Sequence, residues 1–456
     1  MAGQLFRAAN GANCAPIFVL ICCLYLLSGA FSGMLDVLNK HFQESLGVNK
    51  AQSAFVQAVW YGSYFFLAIP SGWMAHKRGY RAGILTGLIL AVIGSLLFIP
   101  AVRIHAHAMA AFAAFLAALF VVGSGMTFLA TVANPYTTVL GPAESAVFRI
   151  NLAQTCDAMG WTLGPAVISG FIMSKTSAAN TGNATIYIPY LIIAGIAALL
   201  VITFTFAPMP DLQAPMERPG EKRPSRSNRP LYKEWHFVSA VIAQFLYVAA
   251  QTGIFSFFIN FIKNGRHSPA IPLYGVSLLP SAMIAQQAHV WHFTEYGAGI
   301  MLSVAFGLFT LGRLVGSMIL KSIKPNLVLG VYAIINVMLM LLVCADIGWP
   351  SVIALLLSFF FMSIMYPTIF ALGIRGLDER TTIASGYIVM SILGGAIMPV
   401  LMGFLADRYS MAIGFLMPMG CFLVILIYGI IWKPLFEFDV KDPAGDNNHA
   451  PVEMTL

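Results

Sequence analysis

Asn134-Pro135-Tyr136-Thr137-Thr138-Val139-Leu140-Gly141 has a counterpart in Tyr366-Pro367-Thr368-Ile369-Phe370-Ala371-Leu372-Gly373. Each segment is followed by a glycine and, five residues on, a proline: Gly160 with Pro165, then Gly394 with Pro399. The first pair of prolines is 232 residues apart and the second 234, close to half of the 456-residue chain. Proline inside a helix removes a backbone donor and kinks it. Two such signatures at matching places read as two copies of one unit.

The surroundings of both copies say what solvates them. The chain is 59% hydrophobic and only 9% charged, against about 25% charged in a soluble domain. A water-facing surface of that composition is excluded, so lipid is the expected solvent. The apolar residues fall in runs near the roughly 20 residues that a spanning helix needs, and they lack the short alternating segments of a membrane β-barrel. Twelve spans are expected, at 17–39, 52–75, 82–102, 108–132, 146–174, 185–207, 236–262, 295–321, 325–344, 350–375, 382–405 and 411–433. Residues 263–294, with Pro269, Pro272 and Pro280, read as a long loop or short interfacial helices. The first run is too long for a secretory signal and carries Asp36, so it reads as a retained helix.

Six helices on each side of a proline-rich, charged segment give the organisation: a bundle at 1–207, a linker at 208–234, a bundle at 235–434 and a tail at 435–456. With the amino terminus inside, 17 of the 25 Lys and Arg residues fall in cytoplasmic segments and seven outside, leaving Arg313 within a helix. This asymmetry puts both termini in the cytoplasm and accounts for the net charge of +7 without a nucleic-acid partner. The six cysteines show no metal or disulfide spacing. No nucleotide-binding loop, hydrolytic triad or metal cluster occurs, so an enzyme, an ATP-driven pump and a bound cofactor are not expected.

Ionisable residues inside spans carry the functional signal, because a central carboxylate is costly and normally faces a wet interior. Asp36 continues a stripe with Ser28 and Ser32 at helical spacing; it is a candidate proton site, or alternatively a charge in the outer interface near Lys40. Asp157 shares a face with Asn151, Gln154 and Trp161. Amides and carboxylates bind hydroxyls, and an aromatic face covers the C–H side of a sugar ring. Interhelical hydrogen bonding is the competing use of such residues. Further polar faces align Gln57, Tyr61 and Tyr64; Thr127, Thr131 and Asn134; and Gln244, Tyr247 and Gln251. Several neutral donors and acceptors suit a polyhydroxylated neutral solute better than a lipid or drug. Arg313, placed toward the cytoplasmic end of its span, reads as a gating ion pair or a snorkelling side chain rather than a substrate ligand.

At these motifs the chain resembles the L-fucose/proton symporter family of the major facilitator superfamily. The resemblance is carried by Phe55–Phe65, Ala133–Pro142, Arg149–Thr155, Ala243–Thr252 and Phe361–Phe370, and it extends over nearly all spans. It implies an all-α fold of twelve helices in two pseudo-symmetric bundles, and import of a hexose or 6-deoxyhexose with protons across the inner membrane by alternating access, by a monomer. By resemblance, Asp36 matches the first-helix aspartate linked to proton coupling, and Gln154 and Tyr366 match pocket positions. There are departures. Ala130 stands where the family has a fourth-helix glutamate, Asp157 where it has a pocket asparagine, and His76 marks a loop lacking its usual acid. The expectation is that Asp36 and Asp157 share the proton work. An uncoupled facilitator and a drug or metabolite exporter of the same fold are the alternatives.

Overall fold

In lipid, backbone polar groups have to be satisfied within the segment, so apolar runs become helices. The computed structural model describes residues 5–6, 13–45, 48, 50–104, 108–173, 187–209, 230–264, 283–287 and 290–441. The first half contains α1 (Ala15–Ser45), α2 (Lys50–Leu96), α3 (Phe98–Val102), α4 (Ala108–Val139), α5 (Ala146–Met173) and α6 (Tyr187–Phe206). The second contains α7 (Trp235–Asn264), α8 (Glu295–Leu320), α9 (Pro325–Ala345), α10 (Trp349–Met362), α11 (Met365–Gly373), α12 (Thr381–Met390), α13 (Gly394–Arg408), α14 (Met411–Gly414) and α15 (Leu416–Lys441).

Ten stretches among the described residues are long and apolar enough to cross a membrane. One of them, Phe55–Val102, is 48 residues long and makes two spans. Gly79 divides it, at φ 82°, a backbone conformation that glycine adopts without steric cost. The helix Ala146–Met173 is not among the ten, because Arg149, Asn151, Gln154 and Asp157 lower its hydropathy. Twelve spans result, and the chain is a multi-pass membrane protein. Its outward surface agrees, with Phe206 82% and Val400 71% exposed, side chains that only lipid would solvate.

Two expected spans are broken. Residues 350–375 form α10 and α11, and 382–405 form α12, a short 3-10 turn and α13. Pro367 cannot donate to the carbonyl of Ser363, where the first break falls; Pro399 lies inside α13, which continues through it. The stretch 263–294 also differs from expectation: Ile284–Gln287 and Val290–Phe293 form an antiparallel two-stranded ribbon with Ile284 opposite Phe293. Residues 265–282 lie outside the described residues.

Helix α1 packs on α5, and α2 on both α4 and α6; α7 packs on α11, α13 and α15, and α9 on α15. The halves meet along two flanks, α2 with α12 and α5 with α8, and α4 and α5 also reach α12 and α11 respectively. Glycines make the closest approaches. A Cβ on Gly29 would collide with the Asp157 carbonyl, so glycine there lets α1 lie directly on the segment of α5 that carries the candidate site.

Basic residues at the ends of the spans hold helix termini and the linker's entry to α7, and Arg149, within the expected fifth span, is the buried case. Arg149 is fully buried. It donates to the carbonyls of Thr137 (3.2 Å), Thr138 (2.5 Å), Gly141 (3.1 Å), Pro142 (3.0 Å) and Leu5 (3.3 Å), and to the Ser145 hydroxyl (2.6 Å). The end of α4 leaves carbonyls without helical partners, and one guanidinium satisfies two of them, Thr137 and Thr138, together with two in the turn that follows, Gly141 and Pro142. Arg81 treats the end of α6 alike, donating to Phe204 (3.2 Å), Thr205 (2.9 Å) and Ala207 carbonyls. Where the linker enters α7, Asp439 of α15 accepts from the His236 backbone N–H at 2.9 Å and lies 2.7 Å from its Nδ1. Arg380 pairs with Glu234 at 3.1 Å.

Candidate functional site

The prolines of the repeat prepare the centre of the molecule. Pro135 leaves the Thr131 carbonyl without its helical donor, and the Ser385 hydroxyl of α12 donates to it at 2.5 Å. Pro367 leaves the Ser363 carbonyl equally free, and Arg313 Nε of α8 donates to that one at 3.0 Å. The echo in sequence is thus an echo in chemistry: each kink exposes one acceptor, and a side chain from the second half takes it.

Around these kinks a polar cluster assembles. Tyr25 of α1 donates to Asn134 Oδ1 at 2.5 Å, and Gln154 Nε2 donates to the same oxygen at 2.9 Å. Asn134 Nδ2 donates back to the Ala130 carbonyl at 2.7 Å. Tyr366 of α11 stands within electrostatic reach of Asn134, Asp157 and Arg313, and its ring lies 6.3 Å from that of Tyr247. Arg313 Nη1 donates to the Gln154 carbonyl at 2.5 Å and stands 3.5 Å from Asp157 Oδ2. The side chains of Arg313 and Asp157 are 4% and 19% exposed. Arg313 therefore does not snorkel; of its two expected uses, the ion pair is the one present, and it joins the two halves.

One helical turn further along α5, Trp161 meets Phe255 edge-on at 6.0 Å and lies 6.2 Å from Phe306. Phe255 stacks on Phe359 at 4.9 Å, and Phe309 lies under the Arg313 guanidinium at 4.7 Å. An aromatic cluster thus adjoins the polar one, the combination of side chains suited to a sugar ring.

Other candidate residues are placed differently. Thr131 is fully buried, and its hydroxyl has no partner among the described residues. Tyr247 is spent on the Met362 carbonyl at 3.0 Å. Gln244 is buried with both amide atoms unpartnered among the described residues. Asn151 donates to the Thr368 hydroxyl at 3.3 Å, a bond between halves rather than a cleft contact. Tyr61 is half-buried, with its ring against Gly395, where a Cβ would stand 3.0 Å from it. Tyr64 is buried within reach of Tyr366 and Asp157. Gln57 and Gln251 are half-buried. Asp36 belongs to α1, but its side chain lies outside the described residues. The sequence reading missed Tyr25 and the phenylalanine wall. Tyr25 lies on the Ser28–Ser32–Asp36 face, three residues before Ser28, a spacing that could have found it; phenylalanines at helical spacing look like ordinary packing.

On the side of the basic loops the halves close. A Cβ on Gly72 would stand 2.6 Å from the Thr382 carbonyl, and one on Gly386 2.7 Å from the Ala68 carbonyl. Lys321, just past the end of α8, lies 6.0 Å from the Phe148 ring of α5.

Comparison with known proteins fits this architecture. The Major Facilitator Superfamily family matches residues 21–392. A glucose/galactose transporter of Brucella abortus is 32% identical over 413 residues, covering 90% of this chain and 92% of that protein. The L-fucose-proton symporter of Escherichia coli K12 is 32% identical over 432 residues, with the same coverage. A crystal structure of the transporter FucP in an outward conformation superposes with a TM-score of 0.75 at 32% identity, covering 91% of this chain and 98% of that one. A proton:xylose symporter at 10% identity and a TM-score of 0.69 shares the fold. The chain belongs to the Major Facilitator Superfamily, in the family that holds the L-fucose–proton symporters and glucose/galactose transporters.

Proposed function

We propose that the protein imports a monosaccharide together with a proton, by alternating access of two six-helix lobes around the central cleft. The observation that carries this reading is the buried chain Tyr25–Asn134–Gln154, set beside the acid Asp157 where the halves meet. Neutral donors and acceptors read hydroxyls, and an acid in a poorly solvated cleft is suited to take up and release a proton. The names of the relatives, sugar transporters and sugar–proton symporters, support the same solute class.

In this mechanism Gln154, Asn134, Tyr366, Asp157 and Trp161 form the sugar wall, with Thr131, Gln57, Tyr61, Gln244, Tyr247 and Gln251 lining or shaping the cleft. Asp36 and Asp157 share the proton work, the second acid having moved from the fourth helix, where Ala130 stands, to the fifth. Protonation from outside favours sugar binding and lets the loaded carrier turn inward; release of sugar and then proton resets it. The lobes are residues 1–207 and 235–434, joined by the basic linker 208–234. Both termini and the tail 435–456 face the cytoplasm in the inner membrane, as the loop charges support, and one chain suffices for transport.

Ala130 favours a second reading, an uncoupled sugar facilitator. A transport panel in proteoliposomes, with labelled glucose, galactose and L-fucose under an imposed inward proton gradient, tests both. Accumulation of one of these sugars above equilibrium supports the symporter; equilibration without accumulation supports the facilitator. No movement of any sugar would contradict both.

A further inference from the structure

We infer that Arg313 is a positioning residue that converts the proton state of Asp157 into the strength of the bond between the two halves. The inference rests on the proposed proton–sugar symport and adds to it the part through which the proton acts.

Arg313 reaches three acceptors. Two are backbone carbonyls, Ser363 at 3.0 Å and Gln154 at 2.5 Å, and the third is Asp157 Oδ2 at 3.5 Å. An arginine stays charged at any pH that a cell meets, and carbonyls do not titrate. Of the four groups, only Asp157 can change charge. Arg313 and Ser363 belong to the second half, Gln154 and Asp157 to the first. The ionised pair therefore draws α5 toward α8 on one of the two flanks along which the halves touch. A proton on Asp157 cancels that attraction and leaves Arg313 held by the two carbonyls alone.

The fixed end of this device is built by the fold. Pro367 vacates the Ser363 carbonyl, which then aims Nε, while Phe309 supports the guanidinium face at 4.7 Å. The backbone bond to Gln154 places the same guanidinium beside a residue of the sugar wall, so a change at Asp157 is felt where the solute binds. The other titratable groups near the pair are Tyr25 on α1, Tyr64 on α2, Tyr366 on α11, Tyr247 on α7 facing Arg313, and the thiols of Cys156 and Cys22 on α5 and α1. These are phenols and thiols, and none of them is a carboxylate. Arg313 has no comparable charge partner among them.

Sugar counterflow tests this, because it needs the loaded carrier to turn but no net proton movement. The readout is counterflow at about pH 6 divided by counterflow at about pH 8, in proteoliposomes, with whichever of glucose, galactose or L-fucose the wild type carries. A ratio several-fold away from one is expected in the wild type and in Arg313→Lys, which keeps the charge. A ratio clearly nearer one than the wild type's is expected in Arg313→Gln, with Asp36 as the acid that still titrates. The double variant Asp157→Asn/Arg313→Gln removes both charges and is expected to give the same reduced ratio, which keeps the test decisive if the single variant does not fold. A wild-type ratio of one, or a wild-type-like ratio in Arg313→Gln or the double variant, would overturn the inference. Absence of counterflow in the wild type would instead count against the sugar-transport reading itself.

Discussion

Ser385 gives its hydroxyl proton to the backbone carbonyl of Thr131 at 2.5 Å, a carbonyl that Pro135 has released from helical duty. This bond crosses from the second half to the first beside the glycine contacts Gly72–Thr382 and Gly386–Ala68. Together with Asn151–Thr368 at 3.3 Å it closes the side of the molecule that carries the basic loops.

That seal depends on the absence of a side chain at 386. In Gly386→Val the new Cβ would stand 2.7 Å from the Ala68 carbonyl, a backbone atom that cannot rotate away. The closed state is disfavoured by at least about 1.4 kcal/mol, a ten-fold shift in population. Spin labels near the Gly79 division of α2 and at the start of α12 are expected to move apart, and gradient-driven uptake to fall. An unchanged distance distribution would show that the seal is made elsewhere.

Asp36→Asn removes a titrating acid and keeps its shape. Driven uptake is expected to fall by at least about ten-fold, on the scale of one lost interaction of about 1.4 kcal/mol, while counterflow persists. Asp157→Asn is expected to impair driven uptake more than counterflow as well. Equal loss in both assays, for either variant, would assign that acid to binding alone.

Gln154→Ala deletes one arm of the Tyr25–Asn134–Gln154 chain. A lost hydrogen bond of about 1–1.5 kcal/mol translates to a half-saturating sugar concentration higher by roughly five- to ten-fold. Proton leak without sugar is expected to stay at the wild-type level. Unaltered saturation would remove Gln154 from the sugar wall.

Arg149→Lys keeps a charge but loses a planar fork that reaches six acceptors. One ammonium has three donors, so at least three acceptors lose their partner. The expected cost is on the order of 3 kcal/mol, read as a lower unfolding temperature in detergent, with no change in sugar selectivity in the surviving protein.

Much of this architecture is legible in the chain alone, because lipid simplifies the reading: an apolar run has few options besides a helix. The duplicated proline motif even marks which carbonyls the fold would free. The partners of those carbonyls are another matter. Arg313 and Asp157 lie in different halves, and no local periodicity joins residues so far apart, so both acid and base are visible without being visible as a pair. Arg149 reads as one more cytoplasmic-side charge until the end of α4 turns its carbonyls toward it. Gly79 reads as a loop residue, whereas it is a sharp division inside one long helical stretch. Tyr25 stands on the Ser28–Ser32–Asp36 face, but only the crossing of α1 over α4 and α5 brings its hydroxyl to Asn134.

The coupling of solute to proton is tested most directly by adding sugar to de-energised proteoliposomes and recording external pH. Sugar entry through the wild-type protein is expected to alkalinise the medium, and Asp36→Asn to abolish that signal while counterflow continues. Brisk sugar exchange with no movement of protons in the wild type would contradict the account and leave an uncoupled facilitator in its place.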